Sequence, residues 1–228
     1  ILILGGSLGA RTINQCLMSN LQKIKDSGVQ FIWQTGKIYI DEVQDTVAKF
    51  GELPMLYVTD FISDMAKAYT AADLVISRAG AGSISEFCLL KKPIILVPSP
   101  NVAEDHQTQN ALALVNKNAA LYVKDADAND KLLDTAIATV NQAELLKNLS
   151  TNIAELAFTD SANVIAKEVI KLAEKYMDEH GCEYIESSLF YWCRRHRHEC
   201  IGTLLSVKRQ KGRRIRSYSE RAEHETHR

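Results

Sequence analysis

The sequence has no apolar run of the roughly 18 residues needed to cross a bilayer, and no basic stretch followed by an apolar leader opens it. Neither a spanning helix nor a secretory signal is expected, so the expected location is cytoplasmic. Cysteine is too sparse and too irregular for a disulfide framework: there are five, an odd number, without regular spacing over the first three quarters of the chain. Cys16 and Cys88 read as buried thiols. An initiator Met is also missing, because "ILILGG" begins inside a hydrophobic strand with no leading polar residues. The chain is expected to be a fragment lacking its natural N-terminus.

What is present suffices for one core with or without an appendage: 228 residues, 46% hydrophobic. The composition breaks at Met177. Residues 177–228 hold 11 Lys+Arg against 8 Asp+Glu, which leaves 16 against 20 of the whole chain's 27 and 28 for residues 1–176. Five of the six histidines and three of the five cysteines also fall after the break. A basic tail of separate origin is the reading.

Before that break, short apolar runs alternate with amphipathic segments, the pattern of a parallel sheet with crossover helices. Strands are predicted at ILIL (1–4), VQFIWQ (29–34), MLYVT (55–59), DLVIS (73–77), PIILVP (93–98) and AALYVK (119–124). Ala10, Ile13, Leu17, Leu21 and Ile24 share one helical face, and Ala111, Leu112 and Val115 another. The fold class is therefore α/β, a Rossmann-like parallel sheet of about six strands with flanking helices. After Lys124 the pattern is helical only, ending in a helix over 161–176 that carries Val164, Ile165, Val169, Ile170 and Leu172.

Ligands of such sheets bind where strands end and helices begin. Three loops there carry polar chemistry. In GGSLGAR (5–11), Gly5 and Gly6 permit close backbone approach, Ser7 offers a hydroxyl, and the following helix aims free amides at an anion; a simple tight turn is the alternative. In SRAGAGSISE (77–86), Gly80 and Gly82 free the backbone, and Ser83 with Glu86 fits a capping box, while Glu86 in a first helical turn can accept two ribose hydroxyls. In SPNVAEDHQTQNA (99–111), Glu104, Asp105, His106, Gln107 and Asn110 cluster at a helix start, suited either to sugar hydroxyls or to capping that helix. A nucleotide sugar is the simplest ligand that joins a diphosphate to a ribose.

In this order and at these separations GGSLGA, DFISDM (60–65), SRAGAGSISE and EDHQTQNA (104–111) resemble the C-terminal half of the peptidoglycan glycosyltransferase family that converts lipid I to lipid II. The resemblance covers about residues 1–175. It implies the C-terminal, donor-binding domain of the two-domain GT-B fold. It further implies transfer of GlcNAc from UDP-GlcNAc to undecaprenyl-diphospho-MurNAc-pentapeptide, with inversion at the anomeric carbon.

By matching position, Gly6 and Ser7 would lie at the sugar-diphosphate, and the main chain of Phe61 and Ile62 at the uracil edge. Gly82 and Ser83 would meet the diphosphate end, Glu86 the ribose hydroxyls, and His106 with Gln107 the GlcNAc hydroxyls. Domains are then expected at 1–160 for donor binding and 161–176 for a helix packing back toward an absent N-terminal domain. That domain would carry the acceptor site, the patch on the cytoplasmic face of the inner membrane and the catalytic base, so no catalytic residue is expected in this half. Helix N-termini after Gly9 and Gly82 would stabilise the leaving diphosphate; no metal, cofactor or nucleic-acid partner is expected.

Two alternatives use the same loops: a separate donor-binding subunit that works with a membrane-bound partner, and another UDP-sugar enzyme of the same fold. In the tail, Cys193, His196, His198 and Cys200 lack the spacing of a standard zinc site, and KRQKGRRIR (208–216) has no aromatic platform beside it. One codon assignment of residues 190–200, read one nucleotide later, spells Phe-Ile-Gly-Ala-Gly-Gly-Ile-Gly-Met-Ser, which resembles the phosphate-binding opening of UDP-MurNAc:alanine ligase. Residues 177–228 are accordingly expected to be an out-of-frame, disordered tail.

Overall fold

The structure, a computed structural model, describes residues 1–6, 8–100 and 105–180, the last five as backbone only. The tail's candidate zinc ligands, its basic run, its expected disorder and its out-of-frame origin lie outside the described residues, as does Ser7. The described residues divide into two units, 1–158 and Thr159 onward.

In the first unit β1 (Leu2–Leu4), β2 (Phe31–Gln34), β3 (Leu56–Thr59), β4 (Val75–Ser77), β5 (Ile94–Leu96) and β6 (Leu121–Tyr122) form one sheet. Every pairing is parallel, and the order is β3-β2-β1-β4-β5-β6. All six predicted strands are present, each trimmed to the residues that find a partner in register, such as Leu2 opposite both Ile32 and Val75. The helices are α1 (Arg11–Ser19), α2 (Leu21–Asp26), α3 (Ile40–Phe50), α4 (Met65–Ala71), α5 (Ala81–Leu90), α6 (His106–Val115), α7 (Ala128–Val140) and α8 (Ala143–Ala154).

The strands are apolar on both sides because helices cover both faces. Alternation sends Ile1, Ile3, Phe31, Trp33, Ile76 and Ile95 to the layer of α1, α2, α3 and α7, where they meet Ile13, Leu17, Ile24, Val43 and Leu132. Leu2, Leu4, Val75, Ile94 and Leu96 face the layer of α4, α5, α6 and α8 through Tyr69, Phe87, Ala111 and Ile153. Each fully buried aliphatic or aromatic side chain contributes about 1.5–3 kcal/mol. Cys16 and Cys88 are buried free thiols, as the spacing suggested.

The second unit contains α9 (Ser161–His180). It runs four residues past the boundary that composition suggested, because Met177 to His180 include no helix breaker and the first one, Gly181, follows them.

Candidate functional site

The strand order places a topological switch between β1 and β4, whose following loops diverge to opposite faces of the sheet. Neither departing helix has an N-cap residue whose side chain can close it. α1 starts after Ala10 and α5 after Gly80, without a side-chain cap and without an acidic residue in the first turn. Both N-termini present first-turn N–H donors and the positive end of the helix dipole at one edge of the sheet.

Packing against a neighbouring loop constrains the glycines after β1. Gly9 (φ +94°) and Gly36 (φ +79°) interlock: a Cβ on Gly36 would fall 2.2 Å from the Gly9 nitrogen, and one on Gly9 would fall 2.4 Å from the Tyr39 ring. Beneath them Asn14, fully buried, donates from Nδ2 to the Thr35 carbonyl and accepts from Trp33 Nε1, both at 2.9 Å. One side chain thus ties α1 to β2 and to the turn that Gly36 makes. Of the two glycines expected to permit ligand approach, Gly5 is required by packing, since a Cβ there would fall 2.9 Å from the Gln34 carbonyl oxygen, and Gly6, exposed at φ +74°, is the residue that faces outward.

After β4, the partly buried Arg78 turns inward. Its Nη1 donates to the carbonyls of Val97 (3.1 Å) and Pro98 (3.2 Å) and pairs with Asp125, whose other oxygen accepts from Thr12 at 2.8 Å. The loops after β4, β5 and β6 and the start of α1 are joined through that network. The capping box proposed for Ser83 and Glu86 is not formed. The loop is only three residues long, so α5 begins at Ala81; Gly80 is its N-cap, Ser83 lies in the first turn and Glu86 in the second. At Gly82 an added Cβ would meet no protein atom within 4 Å, so the space over this helix start is open.

Glu86 is exposed, and one of its oxygens, Oε2, accepts from the buried Tyr69 hydroxyl at 3.4 Å. Burial first, then the neighbouring Glu86 charge and hydrogen bond, push the Tyr69 phenol up to about 12.

At the third loop, His106 and Gln107 are the first two residues of α6, entered through Asp105 in the left-handed region (φ 53°). His106 is exposed. Gln107 Oε1 accepts the backbone N–H groups of Ala79 (3.2 Å) and Ser99 (2.9 Å), and Asn110 Nδ2 donates to the Ala79 carbonyl at 3.1 Å. Two backbone donors on one atom identify it as the oxygen, which leaves the Gln107 amide N–H groups for other work. Gln107 and Asn110 therefore fasten the loop after β4 to the loop after β5.

Adjacent strands β1, β4 and β5 thus gather Gly6, Gly82, Ser83, His106 and Gln107 at one edge. Phe61 and Ile62 follow β3, on the far side of β2, and line a groove of about 410 Å³ with Ile32, Tyr57, Thr59 and Ala68. Phe61 is exposed, and its carbonyl accepts from the Thr59 hydroxyl at 2.9 Å. Asp64 of the same motif caps α4 by accepting from the Lys67 N–H at 3.1 Å, and the Lys67 side chain and that N–H hold its carboxyl below the usual range. The Tyr69–Glu86 contact links this outlying loop, through α4, to α5.

Residues 1–168 match the family model described as the glycosyltransferase family 28 C-terminal domain. The chain belongs to that family. A relative from Phocaeicola vulgatus is 77% identical over 181 residues, which cover 79% of this chain and 48% of the relative; it is named "UDP-N-acetylglucosamine--N-acetylmuramyl-(pentapeptide) pyrophosphoryl-undecaprenol N-acetylglucosamine transferase". A relative of the same name from Bacteroides fragilis is 71% identical over 176 residues, 77% of this chain and 46% of the relative. The crystal structure of Acinetobacter baumannii MurG superposes with a TM-score of 0.63 at 30% identity, covering 76% of this chain and 49% of that one. The chain spans about half the length of the curated relatives it matches.

The family 28 membership and the GT-B C-terminal fold agree with the resemblance carried by the four motifs. The sequence reading did not find the inward turn of Arg78, its partners Asp125 and Thr12, the Asn14 bridge, or the latch made by Gln107. A signal existed for the last: Gln107 and Asn110 stand three apart and share a face of α6.

Proposed function

We propose that this chain is the donor-binding half of an enzyme that transfers GlcNAc from UDP-GlcNAc to undecaprenyl-diphospho-MurNAc-pentapeptide, lipid I to lipid II. The observation that carries the reading is the switch point of a family 28 domain flanked by two helix starts whose N-cap residues, Ala10 and Gly80, bring no capping side chain. The diphosphate lies over Gly82, Ser83 and the loop of Gly6 and Ser7. Glu86 holds the ribose hydroxyls, the main chain of Phe61 and Ile62 meets the uracil edge, and His106 with the Gln107 amide reads the sugar hydroxyls.

The acceptor hydroxyl displaces UDP at the anomeric carbon with inversion, so negative charge grows on the diphosphate as the bond breaks. Fixed N–H dipoles stabilise that charge without reorganising. The acceptor, the base that takes its proton and the contact with the inner membrane belong to the other half of the protein, against which the helix over 161–176 packs back. Among the described residues no helix is long and apolar enough to cross a membrane, which agrees with peripheral attachment through that other half.

Ligand-observed NMR titration of the 228-residue chain with UDP-GlcNAc, UDP-glucose and UDP tests the reading, because it reads affinities into the millimolar range. Tighter binding of UDP-GlcNAc than of UDP-glucose, weakened by Glu86→Ala, is expected. Absence of binding by all three nucleotides, or binding indifferent to Glu86→Ala, would overturn it.

A further inference from the structure

We infer that Tyr69 is a positioning residue for Glu86: its hydroxyl holds one carboxylate oxygen and thereby aims the other at the ribose. The inference rests on the reading of Glu86 as the ribose-binding carboxylate.

Tyr69 sits on α4 at 7% exposure, with its ring edge-to-face against Phe87, centroids 6.0 Å apart and planes at 83°. Phe87 is fully buried and immediately follows Glu86. One ring on α4 therefore contacts two successive residues of α5, fixing the backbone at Phe87 and the carboxylate at Glu86. The packing alone would be served equally by phenylalanine; the hydroxyl needs a separate reason, and Glu86 Oε2, 3.4 Å away, is the partner it reaches among the described residues.

The direction of that bond matters. A tyrosine hydroxyl at this distance donates to the carboxylate and occupies Oε2, so Oε1 stays available to accept. A glutamate on an exposed helical face samples several rotamers, and ordering them on ligand binding opposes affinity. Donation from a buried, packed phenol removes part of that freedom beforehand. The same bond joins the helix that follows Phe61 and Ile62 to the helix that carries Gly82 and Ser83. It therefore couples the loop proposed for the uracil to the helix proposed for the diphosphate, the two groups that a ribose joins.

The test compares UDP with 2′,3′-dideoxy-UDP on the full chain and on Tyr69→Phe, Glu86→Ala and the double variant, by ligand-observed NMR, with urea unfolding as the structural control. Tyr69→Phe keeps the ring and its contact with Phe87. It is expected to weaken UDP about three- to tenfold, the worth of one hydrogen bond. The same variant should leave dideoxy-UDP affinity and the urea midpoint unchanged, and have no effect once Glu86 is alanine. Equal weakening of both nucleotides, or undiminished weakening in the Glu86→Ala background, would show a merely structural tyrosine. If Glu86→Ala abolishes the preference for UDP and Tyr69→Phe does not alter it, the inference alone fails. If Glu86→Ala leaves that preference intact, or if no UDP binds, the ribose assignment fails and this inference with it.

Discussion

Removing the Asp125 carboxylate should loosen three loops at once, because Arg78, Asp125 and Thr12 form the network that joins them. The Arg78 and Asp125 side chains are 19% and 17% exposed. Breaking a fully buried ion pair costs about 3–5 kcal/mol and breaking an exposed one less than about 1 kcal/mol, so Asp125→Ala is expected to cost about 2–3 kcal/mol. Arg78→Met should cost a similar amount, since the Val97 and Pro98 carbonyls lose their donor with the charge. The double variant should cost much less than the sum, with a coupling energy of about 1–2 kcal/mol. Urea unfolding followed by circular dichroism reads this directly: at a slope of about 2 kcal/mol per molar, each single variant lowers the midpoint by about 1 M. The coupling should persist at raised salt, because a pair this shielded is weakly screened. Single-variant effects that add to within about 0.5 kcal/mol would refute the reasoning and make the contact incidental.

Gln107→Glu should separate latch from sugar reader: it keeps an acceptor for the Ala79 and Ser99 amides and the urea midpoint, but loses the amide donor and lowers selectivity for UDP-GlcNAc over UDP. Gln107→Leu should instead destabilise by about 2 kcal/mol, because two backbone donors are orphaned. Asn14→Leu should lower stability by about 2–3 kcal/mol in the same assay, since Trp33 Nε1 and the Thr35 carbonyl are left buried without partners; a neutral result would mean water replaces them. Burial pushes the Cys16 thiol from 9.0 up to about 11. The fold therefore favours the protonated thiol: this contribution is fully present below pH 9 and is lost as pH rises through about 11. At about 1.4 kcal/mol per pH unit it amounts to no more than about 2–3 kcal/mol. Urea midpoints measured from about pH 8 to about pH 11 should fall, and Cys16→Ala should flatten the curve; Tyr69 adds a loss in the same direction between about pH 10 and pH 12.

Much of the fold was legible from one dimension because the apolar runs at 1–4, 29–34, 55–59, 73–77, 93–98 and 119–124 have no polar alternation, and only a sheet covered on both faces buries such runs. Strand ends were less legible: Asp73 and Leu74 read as strand, but β4 begins at Val75, with Leu74 contributing only its carbonyl to the Leu2 N–H. At the site, Gly82 and His106 stand at helix starts as counting residues past a strand suggests, whereas Glu86 lies one turn further along α5 than that count put it. The distinction between a cap and a first-turn residue did not follow from the count: Ser83 and Glu86 have capping-box spacing, and only the three-residue loop, which starts α5 at Ala81, excludes it.

By itself, the sequence determined the parallel α/β class, the motifs at the strand ends and membership in a glycosyltransferase family, because periodicity and local spelling are properties of neighbours along the chain. The tertiary structure alone decided which polar residues are held by the protein's own contacts. Arg78, Asp125 and Thr12 are 47 and 113 residues from their partners, and Gln107 and Tyr69 reach across 28 and 17. Local spacing marks at most one partner of such a contact, as Gln107 and Asn110 on one face of α6 do, and never the residue it reaches. They exist only once the strand order has set β4 between β1 and β5, placed β6 beyond β5, and brought α4, which follows β3, within reach of α5.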